Sequence, residues 1–381
     1  MQSPRTPRSS LYSQLRAYST FPKTLSNEFK RLPVKLLDQD IPHLAVVPSN
    51  SPIRPAHEAG TNFFFCSRTT EARRRVFQPQ TLFPEIESAT FIASLDFCKS
   101  RHKLLCGTKN NFATPSRLID CHSSPPSVIK PQLGTPYIAL SYIWGQNRHY
   151  ESIWSTHQTE PIGPLEIPIP RCPRTVLDAQ IVVRKLGYRY LWVDQICINQ
   201  EDSNDKQSQI ETMDQIYGGA ELTIVAAAGS HSDHGLPGVA FTKRQVTRSL
   251  EFDGIRVTCM PNDAQSLIRS STWSTRAWTH QEALLSRRLL FFTDSEAYFE
   301  CHSMQVRESM RWDFNALHGK QGKLFSFFNS ALFLQGMSHT DFYVRTHTSA
   351  LLRFYRIVKD FTSRSMSCEE DALRDLIFGK L

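Results

Sequence analysis

Apolar and polar positions along the middle of this chain follow two rhythms. YIALSYI (137–143) is continuously apolar and β-rich, and it stops at a turn signal, Trp144-Gly145. After a Pro-rich connection, Val176, Ala179, Val183 and Leu186 recur at helical spacing. Thr175, with Asp178 three residues on, makes a capping box for that helix, and Gly187 supplies a left-handed stop. RYLWV (189–193) is the next strand. Ile210, Met213 and Tyr217 mark another amphipathic helix closed by Gly218-Gly219. ELTIVAAA (221–228) is a third strand, apolar enough to be buried on both faces. Strand, helix, strand, helix, strand at these lengths predicts an α/β fold, a parallel sheet joined by right-handed crossovers with helices on both faces.

The flanks read differently. Residues 1–80 are rich in Pro, Ser and basic side chains and are expected to be mostly disordered. Residues 81–115 form a short helical lead-in, because Phe91, Leu95, Cys98 and His102 fall at helical spacing. Downstream, SLEFDGIRVTCM (249–260) predicts a β-hairpin insertion, AWTHQEALLS (277–286) a helix, and RLLFFT (288–293) and AYFEC (297–301) strands. Residues 303–381 are expected to be an α-helical C-terminal extension, with apolar clusters at 324–334 and 350–361. No internal repeat is visible.

With 40% apolar and 11% aromatic residues, the chain can bury a sizeable core. No apolar run reaches membrane-spanning length, so no membrane span is expected. The net charge of +8 raises the question of nucleic acid. Its densest basic clusters, Arg73-Arg74-Arg75 and Arg287-Arg288, are short and lack an interleaved aromatic platform, so no nucleic-acid partner is expected. Nine cysteines without regular spacing argue against a disulfide framework and for a reducing, cytoplasmic compartment. A mitochondrial address is the alternative, because residues 1–27 hold Arg5, Arg8, Arg16 and Lys23 and no acid precedes Glu28.

Candidate chemistry gathers where strands end. In an open parallel sheet, ligands sit beyond the carboxyl ends of the strands. Ser141 and the Trp144-Gly145 turn follow one strand, and Asp194 follows another within YLWVDQICINQ. Asp194 serves equally well as a turn cap, and Cys197 is best read as a small buried residue. Cys98, His102 and Cys106 stand at i, i+4 and i+8 on one helix, with Cys66 or Cys121 as a fourth ligand. That order is unusual for structural zinc, and no metal is assigned. EDSNDKQSQIE fails the calcium-loop pattern and reads as a loop feeding a helix N-terminus. No dinucleotide fingerprint, P-loop or nucleophile elbow is present.

Five stretches occur in a telling order: YIALSYIWG, RYLWVDQICINQED, QIETMDQIYGGAELTIVAAAG, DHGLPGV and WSTRAWTHQEALLSRRLLFFT. Together they resemble the fungal heterokaryon-incompatibility (HET) domain, here over residues 116–302. Asn199 departs from the pattern, where an aspartate is commoner. The resemblance implies a module that promotes regulated cell death in fungal non-self recognition. Self-association and other incompatibility proteins are the partners it implies. The HET domain is in turn distantly similar to Toll-receptor-type (TIR) domains, which have a flavodoxin-like sheet. Some of those hydrolyse NAD with a glutamate four residues after a tryptophan, the spacing of Trp278 and Glu282 in WTHQE.

What this likeness implies is NAD as a substrate rather than a bound cofactor, with Glu282 catalytic. A carboxylate near the ribose stabilises an oxocarbenium-like state. Trp278 would wall a flat ring, Arg276 would meet the pyrophosphate, and Ser141, Trp144, Gly145 and Asp194 would line the ligand. The bland alternative pairs Glu282 with Arg276 or Arg287 in a non-enzymatic, self-associating interaction module. His280 next door is a candidate for titration near neutrality, against a structural histidine.

Overall fold

A computed structural model describes residues 43–46, 62–68, 77–107, 112–145, 154, 166–169, 171–247, 249–252, 255–262, 264–312, 314 and 364. Its strands are β1 (His43–Val46), β2 (Asn62–Arg68), β3 (Phe77–Pro79), β4 (Leu118–Asp120), β5 (Ser127–Ile129), β6 (Tyr137–Ser141), β7 (Glu166–Pro168), β8 (Tyr190–Trp192), β9 (Leu222–Ala226), β10 (Ser249–Phe252), β11 (Ile255–Cys259), β12 (Arg288–Phe292), β13 (Ala297–Cys301), β14 (Met304–Arg307) and β15 (Met310–Trp312). The helices are α1 (Ser88–Arg101), α2 (Lys103–Cys106), α3 (Arg174–Lys185), α4 (Asp194–Cys197), α5 (Ser203–Glu211), α6 (Met213–Gly219), α7 (Ala264–Ser270) and α8 (Ala277–Leu285).

One nine-stranded sheet runs in the order β14-β13-β12-β9-β6-β8-β4-β5-β7. Its centre is parallel, β12 with β9, β9 with β6 and β6 with β8. Antiparallel strands extend it on both sides. Across the sheet the parallel strands therefore lie second, first, third, fourth in chain order. The chain leaves β6 toward β8, then returns past β6 to β9. A reversal of this kind opens a crevice at the carboxyl ends of the strands.

β6 and β9 are buried at every residue, as their unbroken apolar runs predict. The alternation of side chains divides the sheet between two cores. Val225, Leu289, Phe291 and Tyr298 pack with Ala264, Ile268, Trp273 and Ala283, so α7, the 3-10 turn Trp273–Thr275 and α8 cover one face. Ile224, Leu290 and Phe299 join Phe91, Val176 and Ala179 from α1 and α3 in the other core. Each fully buried Leu, Ile or Phe contributes roughly 1.5–3 kcal/mol.

Several expectations are corrected. Of residues 1–80, expected to be mostly disordered, 43–46, 62–68 and 77–79 form β1, β2 and β3, and nearly all the others lie outside the described residues. The hairpin over 249–260 is present as β10 and β11, and its second strand, β11, pairs with β2, which in turn pairs with β1. A short Phe-rich run such as NFFFCSR needs such a distant partner before it can be a strand. Residues 304–307 and 310–312 are strands rather than part of a helical extension. Their signature is a period of two, with Met304 and Val306 buried and Gln305 and Arg307 half-buried. Beyond them, the expected helices fall outside the described residues, save Phe314 and Arg364.

The helix expected around Ile210, Met213 and Tyr217 is broken at Thr212 into α5 and α6. Thr175 and Asp178 lie inside α3, which starts after Pro173 without a side-chain cap. Instead they hold the DHGLPGV loop. Thr175 Oγ1 accepts from the Gly235 amide at 3.2 Å, and Asp178 Oδ2 accepts from the Leu236 amide at 2.9 Å. Gly235 has φ +83°, and a Cβ there would stand 2.7 Å from Asp178 Oδ2. Gly187, at φ +80°, is the expected left-handed residue after α3.

Candidate functional site

β6 ends at Ser141, which is 1% exposed and registers beside Val225 on the face covered by α7 and α8. Its hydroxyl accepts from the Trp273 indole Nε1 at 2.8 Å and donates to Glu282 Oε2. Glu282 lies on α8, itself 7% exposed. Burial and the neighbouring Asp194 charge push its carboxyl up to about 8, while Ser141, Arg276 and Tyr217 pull partly the other way. Glu282 is therefore largely protonated at neutral pH. Its proton affinity comes chiefly from lost hydration.

β8 hands over to Asp194, the first residue of α4. Its carboxylate is engaged within the turn itself. Its carboxylate caps the turn by accepting from the Gln195 amide at 2.7 Å, and it accepts from Trp144 Nε1 at 3.1 Å to each oxygen. Tyr142, one residue beyond Ser141, donates its hydroxyl to Gln195 Oε1 at 2.5 Å. The turns after two adjacent strands are thus tied together by polar side chains. Burial raises Asp194 to about 6, opposed by the Gln195 amide, Trp144 and Arg276. The two carboxyls fall on opposite sides of neutrality, Asp194 mostly ionised and Glu282 mostly not.

The other nominated residues are more dispersed. Gly145 is exposed with φ +77°, and a Cβ there would approach His231 Cβ to 3.1 Å, so the turn requires glycine. Arg276 stands at the N-terminal boundary of α8 without a capping side-chain bond and is half-buried, and its charge reaches both Asp194 and Glu282. Trp278, one helical turn before Glu282, is half-buried and stands outside the hydrogen bonds described above. The alternative pairing of Glu282 with Arg287 is not made. Arg287 instead donates to the carbonyls of Gly219 and Ala220 at 3.1 and 2.9 Å.

His280 does not titrate near neutrality. Burial, and to a lesser degree Arg364, hold it down to about 3. Cys197 is fully buried, with its thiol pushed up to about 12 by burial, as expected of a packing residue. Asp202 caps α5 by accepting from the amides of Asn204 and Asp205 at 2.9 and 3.3 Å, so EDSNDKQSQIE is the helix entry it was read to be.

A cleft of about 340 Å³ opens at the same rim, beyond the carboxyl ends of β9 and β12. Ala227, Ser230, Leu267, Thr272, Thr293 and Asp294 are among its walls, and none of the nominated residues lines it. Residues that sequence reasoning missed include Trp273, Tyr217, Tyr142 and Gln195. The stretch WSTRAWTHQE contains two tryptophans, and the spacing argument used only the second. Tyr217 and Gln195 carried no signal beyond their place in a helix and a turn.

The sheet and its rim define an α/β protein with a mostly parallel centre and a buried acid–hydroxyl–indole cluster where its strand order reverses. Residues 137–282, from the start of β6 to Glu282 itself, match the family model for heterokaryon incompatibility protein (HET). Heterokaryon incompatibility protein 6, OR allele, of Neurospora crassa is 29% identical over 41% of this chain. The match spans 28% of that relative's length, so the relative is much larger than the part shared. No solved structure matches the chain. The chain thus carries a segment similar to the heterokaryon-incompatibility domain, as its motifs indicate. Among the described residues, no helix is long and apolar enough to cross a membrane.

Proposed function

We propose that this chain acts in fungal heterokaryon incompatibility by promoting regulated cell death, and that it does so by hydrolysing NAD or a related nucleotide at the rim around Glu282. The observation that carries this reading is the pair of carboxyls, Glu282 and Asp194, gathered where the strand order reverses, with Glu282 bonded to Ser141 and Asp194 to Trp144. The second-first-third-fourth order of parallel strands is also that of flavodoxin-like sheets, in keeping with the TIR likeness of WTHQE. In the reaction, water adds to the ribose carbon as its bond to nicotinamide breaks. The bonding electron pair returns to the ring nitrogen, so nicotinamide leaves neutral and the water's proton is released. Ionised Asp194 would supply negative charge beside the developing oxocarbenium, and the Glu282 carboxyl would orient the ribose hydroxyls. In this reading Arg276 would meet the pyrophosphate and Trp278 would wall the ring.

A second reading has its own support. Glu282 is only 7% exposed and already holds Ser141, an arrangement that would simply pin α8 to β6 in an interaction module that self-associates or binds other incompatibility proteins. A cytoplasmic site of action suits both, since the described cysteines are free thiols. The test is NAD turnover by the purified chain beside viability of a fungal host expressing it, each with Glu282→Gln. Hydrolysis that falls by about 100-fold or more in a folded variant, together with lost killing, supports the enzyme. Killing by both proteins with no nucleotide consumed would establish the interaction module instead.

A further inference from the structure

Away from the rim, Cys98, His102, Cys106 and Cys301 converge at the β13 side of the main sheet. Three come from one short segment, where His102 joins α1 to α2. The Cys106 amide donates to the His102 carbonyl at 2.8 Å and the His102 amide to the Cys98 carbonyl at 2.9 Å, which keeps all three on one side. The fourth, Cys301, closes β13. It was not among the fourth ligands expected from spacing. Cys121 lies elsewhere, its thiol directed at the Ile119 carbonyl at 3.9 Å, and the Cys66 side chain falls outside the described residues.

The four are no more than 4% exposed, and their ligand atoms lie within 4.8 Å of one another. Cys301 Sγ stands 3.5 Å from His102 Nδ1. A tetrahedral zinc with bonds of about 2.3 Å to sulfur and about 2.0 Å to nitrogen separates its ligand atoms by about 3.5–3.8 Å. The Cys301–His102 pair already meets that figure, and the widest separation, at up to 4.8 Å, would close by about 1 Å on binding. Buried cysteines can be mere packing residues, yet here charged and polar donors are aimed at the sulfurs. Arg288 Nε donates to Cys98 Sγ at 3.1 Å, and the Ser303 amide donates to Cys301 Sγ at 3.4 Å. Such donors support metal-bound thiolates. Three thiolates around a divalent cation leave one negative charge, which the Arg288 guanidinium offsets.

We propose that Cys98, His102, Cys106 and Cys301 form a closed structural zinc site that clips the α1–α2 lead-in to the main sheet. The soft donors select zinc over magnesium or calcium, and four protein ligands leave no position for substrate. The ligands are joined across almost the whole described domain, so the metal would fasten a segment that precedes the HET match to a strand that follows it.

The full chain, produced in zinc-supplemented medium and desalted, is assayed for zinc and iron by mass spectrometry. About one zinc per chain is expected, as in a four-ligand site. Cys301→Ser should lose most of it, whereas Cys172→Ser, a buried cysteine bonded to Gln180, should keep it. If Cys301→Ser does not fold, the wild-type chain carrying cobalt in place of zinc provides the second readout. Its visible spectrum should show tetrahedral cobalt with thiolate charge-transfer bands. A folded wild-type chain without zinc, iron in its place, a disulfide among these cysteines, or unchanged zinc in Cys301→Ser would each overturn the proposal.

Discussion

At the carboxyl rim, Glu282 is stripped of water, kept protonated and given a hydroxyl to bond, whereas at the β13 side the sulfur of Cys98 faces the guanidinium of Arg288. Both regions bury groups that would be charged in water, which is costly without a remedy. The rim neutralises the charge by protonation and leaves a cleft open close by. The thiol–imidazole cluster compensates charge with charge and is closed. A neutralised acid can still change state, and that suits a site which acts. A compensated cluster cannot change state without losing a partner, and that suits a fastening.

Arg288 offers the largest test of this contrast. Beyond Cys98 it donates to the Glu221 carbonyl at 3.0 Å and the Cys106 carbonyl at 2.9 Å, both from one rigid fork. Arg288→Ala leaves buried acceptors without donors and should cost about 3–5 kcal/mol in urea denaturation. Arg288→Lys should recover only part, because one ammonium cannot span the three acceptors. A loss below about 1 kcal/mol for the alanine variant would mean that the guanidinium does not compensate this cluster.

Glu282→Gln probes the other remedy, with a smaller effect that depends on pH. The folded-state value of about 8 lies above the ordinary 4.5, so the folded protein holds a proton that the unfolded chain gives up between those values. This contribution to stability is full below about pH 4.5, declines as pH rises, and is exhausted near pH 8. At about 1.4 kcal/mol per unit, the decline amounts to a few kcal/mol. Glutamine carries no such proton, so the variant's melting temperature should fall less between pH 5 and pH 8 than that of the wild type. Asp194, raised from 3.8 to about 6, has the same sign over a lower window and remains in both proteins. Parallel curves above pH 6 would show that Glu282 is not held neutral.

The core of this fold was legible because β6, β8 and β9 are local apolar runs, and α3 and α8 announce themselves by local spacing. The strands that were missed depend on distant partners. β2 needs β11, and β3 needs β15, pairings no local period reveals. The same division holds at the rim. Ser141 and Asp194 were nominated from strand ends and Glu282 from the resemblance of WTHQE, but Trp273 is recognised only when the 3-10 turn brings it over Ser141. At the thiol–imidazole cluster three members share one local segment. Cys301 is brought to them by the sheet, and this is why spacing alone suggested the wrong fourth ligand.

The smallest expected effect bears on how the rim is stitched. Trp144→Phe keeps the aromatic volume but removes the donor that serves both oxygens of Asp194. Because Asp194 is half-buried, water can replace part of that bond, and the stability loss should be about 1 kcal/mol. The sharper readout is the carboxyl itself, followed by a 13C NMR titration. The indole favours the ionised form, so its removal should move Asp194 further above about 6, toward the range of Glu282. Two carboxyls drawn together in this way would lose their split across neutrality. An unmoved Asp194 would place its control in burial and the Gln195 amide alone, leaving Trp144 as packing. That outcome would make the rim more like the fastening than the site.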